Sequence, residues 1–205
     1  MTPDTVQFAK FQKIPRLSRE MIVTEKIDGT SAQVFVAELP GKYTEEELST
    51  IPLVATHGNR LLYAGSRTRY VTPDADNFGF SGWVKENAAC LAQLGPGRHF
   101  GEWWGRGIQR GYGLQERRFS LFNVHSWGET RPACCHVVPV LYRGPFDTGE
   151  VDAVLAELAR GGSLAAPGYM NPEGVVVFHV AGGHLYKKTI GDDGHKGNAV
   201  DEAGA

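Results

Sequence analysis

The segment Thr24-Glu25-Lys26-Ile27-Asp28-Gly29-Thr30 places one lysine between a run of apolar residues and an Asp-Gly pair. Residues 21–24 and 32–36, on either side of it, are rich in apolar and β-branched residues, which predicts two antiparallel strands. Asp-Gly is a favoured turn between such strands, so Lys26 lies where the first strand ends. A lysine in that position, partly desolvated and near other cations, can lose its proton and act as a nucleophile.

Four more segments carry aromatic, acidic or basic residues at strand-like positions. They are, in chain order, Phe100-Gly101-Glu102-Trp103, Phe119-Ser120-Leu121-Phe122-Asn123, Pro172-Glu173-Gly174-Val175-Val176-Val177 and Leu185-Tyr186-Lys187-Lys188. With the lysine segment they resemble the five ordered motifs of the ATP-dependent RNA ligase family, within the covalent nucleotidyltransferase superfamily of polynucleotide ligases and capping enzymes. Lys-x-Asp-Gly alone is more typical of an ordinary solvated hairpin. The ordered set, spread over residues 24–188, is what favours the ligase family.

The resemblance implies chemical roles for five charged residues. Lys26 is the catalytic nucleophile that attacks the α-phosphate of ATP. Glu102 binds the ribose hydroxyls, and Glu173 lies near the phosphates as a catalytic residue and metal ligand. Lys187 and Lys188 supply positive charge at the α-phosphate. Because neighbouring residues on a strand point to opposite faces, only one of the two lysines lies in the pocket, and we favour Lys187.

Four other residues are implied at the nucleotide. Arg67 matches a basic position that contacts the nucleotide or an incoming 5′-phosphate, for which a planar guanidinium is well suited. Phe122 is expected to stack on the base, with Val176 as the opposite wall of the slot. Glu25 is placed within reach of the adenine amino group. Each of these, taken singly, is more typical of a core or surface residue.

The expected cofactors are ATP and a divalent metal ion, Mg²⁺ or Mn²⁺. A triphosphate carries several negative charges that lysines alone rarely offset, and Mg²⁺ prefers oxygen ligands with retained waters. Glu173 is the predicted metal ligand. The seven histidines show no metal-binding spacing and are interpreted as structural or solvated.

The stretch from Trp103 to Gly113 interleaves aromatic residues, arginines and glycines. This composition is typical of a surface that follows a phosphate backbone and stacks on bases, and it predicts that Arg106 and Arg110 contact nucleic acid. The alternative, which we weigh equally, is a glycine-rich loop pinned to the core by its tryptophans. The formal net charge is only −2, so nucleic acid would bind through this local patch rather than through total charge.

The composition fits a single globular domain rich in turns, with 205 residues, 41% hydrophobic residues, 26 glycines and 11 prolines. Residues 1–190 are predicted to form a nucleotidyltransferase (adenylation) domain, and residues 191–205 a polar, flexible C-terminal tail. Ligases of this class that act alone usually carry a further domain after the fifth motif. Only 17 residues follow Lys188, so we expect an adenylation domain alone, with a partner protein as one source of a substrate-binding module.

Cysteine usage and hydropathy indicate the cellular compartment in which the protein is expected. Cys90, Cys134 and Cys135 form no C-x-x-C pair, and the adjacent pair is too close for an ordinary disulfide. The N-terminus has no basic-then-apolar layout, and no window approaches about 18 apolar residues. These features predict a reduced, cytoplasmic protein with no membrane association.

Strand patterns outnumber helix patterns along the chain. Further strands are predicted over residues 53–56, 67–71, 98–102, 119–124, 137–142, 174–180 and 184–190. Helices are predicted over residues 82–94 and from Val151 to Leu158, with a capping box at Thr44 and Glu47. The fold class is α+β with mainly antiparallel sheets and a few flanking helices. The resemblance implies the ligase nucleotidyltransferase domain, an architecture of ATP-grasp-like character.

The function implied by the resemblance is an ATP-dependent RNA ligase. It would form a lysyl-AMP intermediate, transfer AMP to a 5′-phosphate end and join that end to a 3′-hydroxyl, on RNA or DNA. Two alternatives stay open: a small ATP-dependent DNA ligase, and a non-catalytic nucleic-acid end-binding protein that retains the pocket. Ser31 stands where these RNA ligases commonly have Asn, and a hydroxyl makes fewer hydrogen bonds than an amide. We therefore expect Ser31 to weaken metal placement or 5′-phosphate recognition, and so to affect sealing more than lysine adenylation.

Overall fold

The two strands that flank Asp28-Gly29 are present, but they enter different sheets. The structure, a computed structural model, describes residues 10–191. Strand β1 (Glu20–Lys26) belongs to a smaller sheet and β2 (Thr30–Glu38) to a larger one. The Asp-Gly segment is therefore a crossover between sheets and not the turn of a paired hairpin. Side chains from the larger sheet and its loops, rather than a partner strand, hold the backbone of this crossover.

The smaller sheet is antiparallel and has the strand order β11-β10-β1-β9. Its remaining strands are β9 (Val140–Pro145), β10 (Gly174–His179) and β11 (His184–Thr189). Helix α4 (Thr148–Gly161) covers one face, where Val151 and Leu158 pack against Met21, Val23, Val175 and Val177. Since strand residues alternate between faces, the intervening residues of β1 and β10 lie on the face away from α4.

The larger sheet runs in the order β3-β4-β2-β6-β7-β8, with β5 paired to β4. Its other strands are β3 (Ala55–His57), β4 (Arg60–Ser66), β5 (Tyr70–Val71), β6 (Gly97–Gly105), β7 (Arg117–Leu121) and β8 (His136–Val137). Every pairing is antiparallel except that of β7 with β8. The α+β class with mainly antiparallel sheets is confirmed.

Three short helices accompany the larger sheet: α1 (Glu45–Ser49), α2 (Phe80–Glu86) and α3 (Ala88–Leu91). The capping box at the start of α1 is present as predicted. The helix predicted over residues 82–94 is interrupted at Asn87, whose side-chain amide donates to the Trp83 carbonyl at 2.9 Å. The Trp83 carbonyl also accepts the backbone N–H of Asn87 at 3.0 Å, and the helix breaks at Asn87 because its backbone angles, φ −104° and ψ 17°, leave the helical region.

Strand β4 was not predicted, and the strand predicted over residues 67–71 is largely absent. Leu62, Tyr63 and Ala64 of β4 are at most 1% exposed, so this strand belongs to the core of the larger sheet. The exposed turn that follows β4 contains Arg67, and only Tyr70–Val71 of the predicted segment is strand. Helix α4 agrees with its prediction.

Two further predictions concern membrane association and the C-terminal tail. Within residues 10–191, no helix combines the length and the apolar character needed to cross a membrane. The predicted C-terminal tail lies outside the described residues from position 192 onward.

Candidate active site

Lys26 occupies the last position of β1, opposite Gly174 at the first position of β10. Glu173 immediately precedes Gly174, and its Oε1 lies 2.5 Å from Lys26 Nζ. A Cβ at Gly174 would lie 2.2 Å from the Lys188 carbonyl oxygen, so only glycine allows β10 to begin this close to β11. The Glu-Gly sequence thereby sets a carboxylate against the predicted nucleophile. The two side chains keep 23% and 17% of their surface accessible.

The second carboxylate oxygen of Glu173 is buried and has no hydrogen-bond partner among residues 10–191. A buried oxygen of this kind needs an explanation, such as a bound ion or water. No three His, Cys, Asp or Glu side chains converge as a metal site within the described part of the chain. Mg²⁺ is often held by one or two carboxylates together with substrate phosphates and waters. The donor set thus fits a cation that is bound together with a phosphate group.

Glu102 lies on β6, opposite Ser31 of β2. Its Oε1 accepts a hydrogen bond from the backbone N–H of Gly29 at 3.1 Å. Burial raises the pKa of Glu102 from 4.5 to about 7; the positive charge of Lys26 opposes this rise, and Glu173 adds to it. A carboxyl group with a strongly perturbed pKa beside a candidate nucleophile is typical of a functional site.

The close approach of Gly29 to β6 depends on the absence of a side chain. A Cβ there would lie 2.6 Å from the Trp103 carbonyl oxygen and 2.7 Å from the Cβ of Trp104. Both tryptophans are almost fully buried, so neither can yield. The glycine of the Lys-x-Asp-Gly segment is therefore required to bring Lys26 beside Glu102.

Asp28 is held by two residues of the loop that follows β6. Its backbone N–H donates to the Tyr112 hydroxyl at 2.8 Å, and its carboxylate accepts from Arg110 Nε at 2.9 Å. Tyr112 is 2% exposed, and burial raises the pKa of its hydroxyl well above the ordinary value. The sequence indicated only a turn at Asp28, whereas the structure uses this residue to fasten the nucleophile segment.

Arg110 has a different position from the one predicted for a nucleic-acid ligand. Its Nη1 donates to the Asn171 carbonyl at 2.9 Å, to Asn171 Oδ1 at 3.1 Å and to the Pro172 carbonyl at 3.2 Å. Since its Nε is paired with Asp28, this guanidinium binds protein on two sides. Two nitrogens of Arg110 are therefore bound to protein groups, and its predicted contact with nucleic acid stays a prediction. The alternative of a pinned loop is the better description, although the loop is pinned by Ile108 and Tyr112 as well as by tryptophan.

Glu25 also has a different position from the one predicted. Its side chain is 1% exposed, and its two oxygens accept hydrogen bonds from Ser163 Oγ and from the backbone N–H groups of Leu164 and Ala165. On β1 it lies on the α4 side, one residue away from Lys26. Because these donors occupy its carboxylate, we reassign Glu25 from adenine recognition to anchoring β1 on the segment after α4.

The two lysines of the fifth motif lie on opposite faces of β11, as the alternation predicted. Lys187 pairs with Val176, which in turn pairs with Thr24, so these three share the face of Lys26. Lys188 pairs with Val175 on the other face and forms an ion pair with Asp152 of α4. The structure therefore brings Lys187, and not Lys188, to the side of the nucleophile.

The two predicted walls of the base slot belong to different sheets. Val176 lies on the Lys26 face of the smaller sheet. Phe122 follows β7, in which Ser120 is opposite Glu102, and its backbone N–H donates to the Phe100 carbonyl at 3.0 Å. Phe122 is 43% exposed, an unusual value for a phenylalanine beside a core strand.

The two predicted basic contacts Arg67 and Arg106 are exposed, the first in the turn after β4 and the second after β6.

The sequence analysis missed three contributions to the site. They are the pairing of Asp28 with Arg110, the hydroxyl of Tyr112, and Asn171. The available signal was local, since Arg110 and Tyr112 lie in a glycine-rich loop that directly follows the Glu102 strand. Asn171 precedes the Pro-Glu-Gly segment and carried no signal of its own. Their partners are 61 or more residues away, so pairing them required the tertiary structure.

This geometry agrees with a comparison of the sequence with protein families. The family model described as RNA ligase matches residues 19–187, a range that includes every residue of the site. The chain belongs to the RNA ligase family. No curated protein matches the sequence.

Solved structures of an RNA ligase from Naegleria gruberi have a similar fold. A variant with ATP and Mn gives a TM-score of 0.57 at 18% identity over 85% of this chain and 51% of that chain. The form with PPi gives 0.56 at 18% identity, and a variant with AMP and Mn gives 0.56 at 19%; each covers 84% of this chain and 50% of the other. The present chain thus spans about half the length of these relatives.

Proposed function

We propose that this protein is an ATP-dependent RNA ligase that forms a covalent lysyl-AMP intermediate on Lys26. The observation that carries this proposal is the contact between Lys26 Nζ and Glu173 Oε1 at the junction of β1 and β10, next to Glu102. Membership of the RNA ligase family supports RNA ends as the substrate class. The Naegleria relative solved with ATP and Mn supports ATP as the nucleotide.

In the first step, the neutral amine of Lys26 attacks the α-phosphorus of ATP and pyrophosphate leaves. The new bond is a phosphoramidate, and the bond that breaks joins the α-phosphorus to the bridging oxygen. Glu173 Oε1, 2.5 Å from the amine, is placed to accept the proton that the lysine loses. Lys187, on the same face, stabilises the negative charge that develops on the α-phosphate.

We assign the nucleotide contacts to side chains on both sheets and in the segments that follow β4 and β7. Glu102 would accept hydrogen bonds from the ribose hydroxyls, and Phe122 and Val176 would enclose the base. Arg67 is exposed close to the start of β2 and would bind a phosphate. Lys188 and Glu25 have no part in this set, since their side chains bind Asp152 and the segment after α4.

The same site would hold a divalent metal ion, Mg²⁺ or Mn²⁺, through the unpartnered Oε2 of Glu173. When bound, such an ion would neutralise phosphate charge and polarise the oxygens around the α-phosphorus. Glu173 would thus contact both Lys26 and the metal ion, with Oε1 toward the lysine and Oε2 toward the ion.

In the later steps, AMP would pass from Lys26 to a 5′-phosphate, and a 3′-hydroxyl would attack that activated end with release of AMP. These steps need a surface for nucleic acid, and Arg106 is the exposed candidate in this region. The chain spans about half of its structural relatives, so we propose that residues 1–190 act as the adenylation domain and that a partner protein can supply further substrate contacts.

The test is transfer of label from α-labelled ATP to the protein in the presence of Mg²⁺, measured after denaturation. Wild-type protein should be labelled, and Lys26→Ala should not. Lys85→Ala is the matched control, because this lysine is exposed on α2 and should be labelled like wild type. Equal labelling of Lys26→Ala would refute the assignment of the nucleophile, and a preference for GTP would indicate a capping-type activity.

A further inference from the structure

We propose that Arg110 is a positioning residue that holds Lys26 against Glu173 for the attack on ATP. This inference rests on the proposed function and assigns to that reaction a side chain outside the five sequence motifs. Arg110 contacts neither reacting group itself. It acts by joining the two short segments that carry them.

The contacts form a closed ring. One side of the ring is Lys26-Ile27-Asp28 and the other is Asn171-Pro172-Glu173. At one end the two segments meet where Lys26 Nζ lies 2.5 Å from Glu173 Oε1. At the other end Arg110 bridges them, with Nε on Asp28 and Nη1 on Asn171 and Pro172.

The guanidinium is itself held in place by its loop. Ile108 is 0% exposed and accepts a hydrogen bond from the backbone N–H of Gly111 at 2.8 Å, which closes a turn around Arg110. Tyr112, two residues after Arg110, packs edge-on against Trp104 and at a tilt against Tyr169, with ring centroids 5.0 Å and 4.6 Å apart. Because both flanks of Arg110 are anchored in the core, its side chain can fix the separation of the segments it joins.

An ordinary surface ion pair would not explain this arrangement. Exposed ion pairs usually join two side chains and contribute little to stability. Here a single guanidinium, 30% exposed, binds a carboxylate on one segment and two backbone carbonyls on another. Backbone acceptors cannot rotate away, so the bridge constrains the path of the chain next to Glu173. Displacing a reacting group by about 1 Å can lower a rate by about 100-fold, which is the scale of effect expected here.

The geometry also requires arginine rather than lysine. The fork of arginine presents donors in two fixed directions, while lysine offers a single compact ammonium group. A lysine at this position would retain the positive charge but could not reach Asp28 and the Asn171-Pro172 carbonyls with separate nitrogens. Arg110→Lys therefore removes the bridge between the two segments while it keeps the positive charge.

The experiment measures single-turnover self-adenylation over a range of ATP concentrations for wild type, Arg110→Ala and Arg110→Lys. Both variants should lose about 10-fold to 100-fold in rate at saturating ATP, with the half-saturating ATP concentration changed by less than about 3-fold. A purely structural role would not give this separation of rate from binding. The matched control is Arg160→Ala, which removes an exposed arginine from α4 and should adenylate at the wild-type rate.

Asp28→Ala provides a second variant, because alanine has no side-chain acceptor for Arg110 Nε. It should lower the rate by the same route, and the combination with Arg110→Ala should be no slower than the worse single variant, because both remove one bridge. If wild type is active and either Arg110→Lys or Arg110→Ala keeps full activity, the positioning role is wrong and the proposed function still stands. Fully additive losses, or a large change in ATP affinity only, would overturn the positioning role too. A wild-type protein that takes no label would overturn both this inference and the proposed function.

Discussion

Replacing Glu102 by Gln should change how the stability of this protein depends on pH. Burial moves the pKa of Glu102 from 4.5 to about 7, which corresponds to at most about 3 kcal/mol of differential interaction between the two protonation states. The folded protein binds the proton more tightly than the unfolded chain. The stabilisation is therefore fully present below pH 4.5 and is lost as the pH rises through about 7.

Glutamine resembles the protonated carboxyl group and keeps an oxygen for the N–H of Gly29. We expect Glu102→Gln to match wild type near pH 4.5 and to exceed its free energy of unfolding by up to about 3 kcal/mol at pH 8. The assay is urea denaturation at several pH values, and the difference between the two proteins isolates Glu102 from other titrating groups. Parallel stability curves for the two proteins across this range would refute the reasoning.

Side-chain placement gives three further predictions. Glu25→Ala leaves buried donors without an acceptor, so it should lower the free energy of unfolding by at least about 2 kcal/mol in urea denaturation; a loss below about 0.5 kcal/mol would contradict the anchoring role. Lys187→Ala should lower the self-adenylation rate by about 100-fold, whereas Lys188→Ala should change it little; the reverse order would mean that the face assignment is wrong. Arg106→Ala should weaken RNA joining and its salt dependence without altering self-adenylation, and loss of both activities together would argue against a surface role.

Much of the fold was predictable because its strands have strong local patterns. The apolar runs of β1, β2 and β10 and the helical spacing of Val151 and Leu158 in α4 indicate their elements directly. The break at Asn87 was not predictable from periodicity, since it is a change of backbone angles at one residue that the spacing of apolar residues does not mark. The sheet assignment was also hidden, because an Asp-Gly pair has the same sequence whether it closes a hairpin or connects two sheets.

The candidate site shows the same division. The motifs that contain Lys26, Glu173, Glu102 and Lys187 have an order that could be recognised. The structure sets Lys26 Nζ against Glu173 Oε1, has Glu102 accept from the Gly29 N–H, and places Lys187 on the Lys26 face of the smaller sheet. Glu25 and Lys188 sit inside the same motifs, yet their side chains lie on the α4 face of their strands. Strand alternation predicts that one of Lys187 and Lys188 faces away from the nucleophile. The same alternation places Glu25 on the face of β1 opposite Lys26.

The protein contacts of Arg110 could not be predicted for a different physical reason. A glycine-rich loop with arginines has the composition of a phosphate-binding surface, and composition does not reveal which arginine meets a carboxylate in the folded protein. Asp28 is 82 residues away from Arg110, and the pair forms only when the crossover between the sheets lies against the loop.

The most direct test of the central claim is peptide mapping by mass spectrometry after incubation with ATP and Mg²⁺. The proposed mechanism predicts that AMP is attached to the peptide containing Lys26, and that fragmentation places it on that side chain. Addition of pyrophosphate should remove it, because the first step is reversible. AMP found on another residue such as Lys187, or no adduct on a folded protein that binds ATP, would contradict the account.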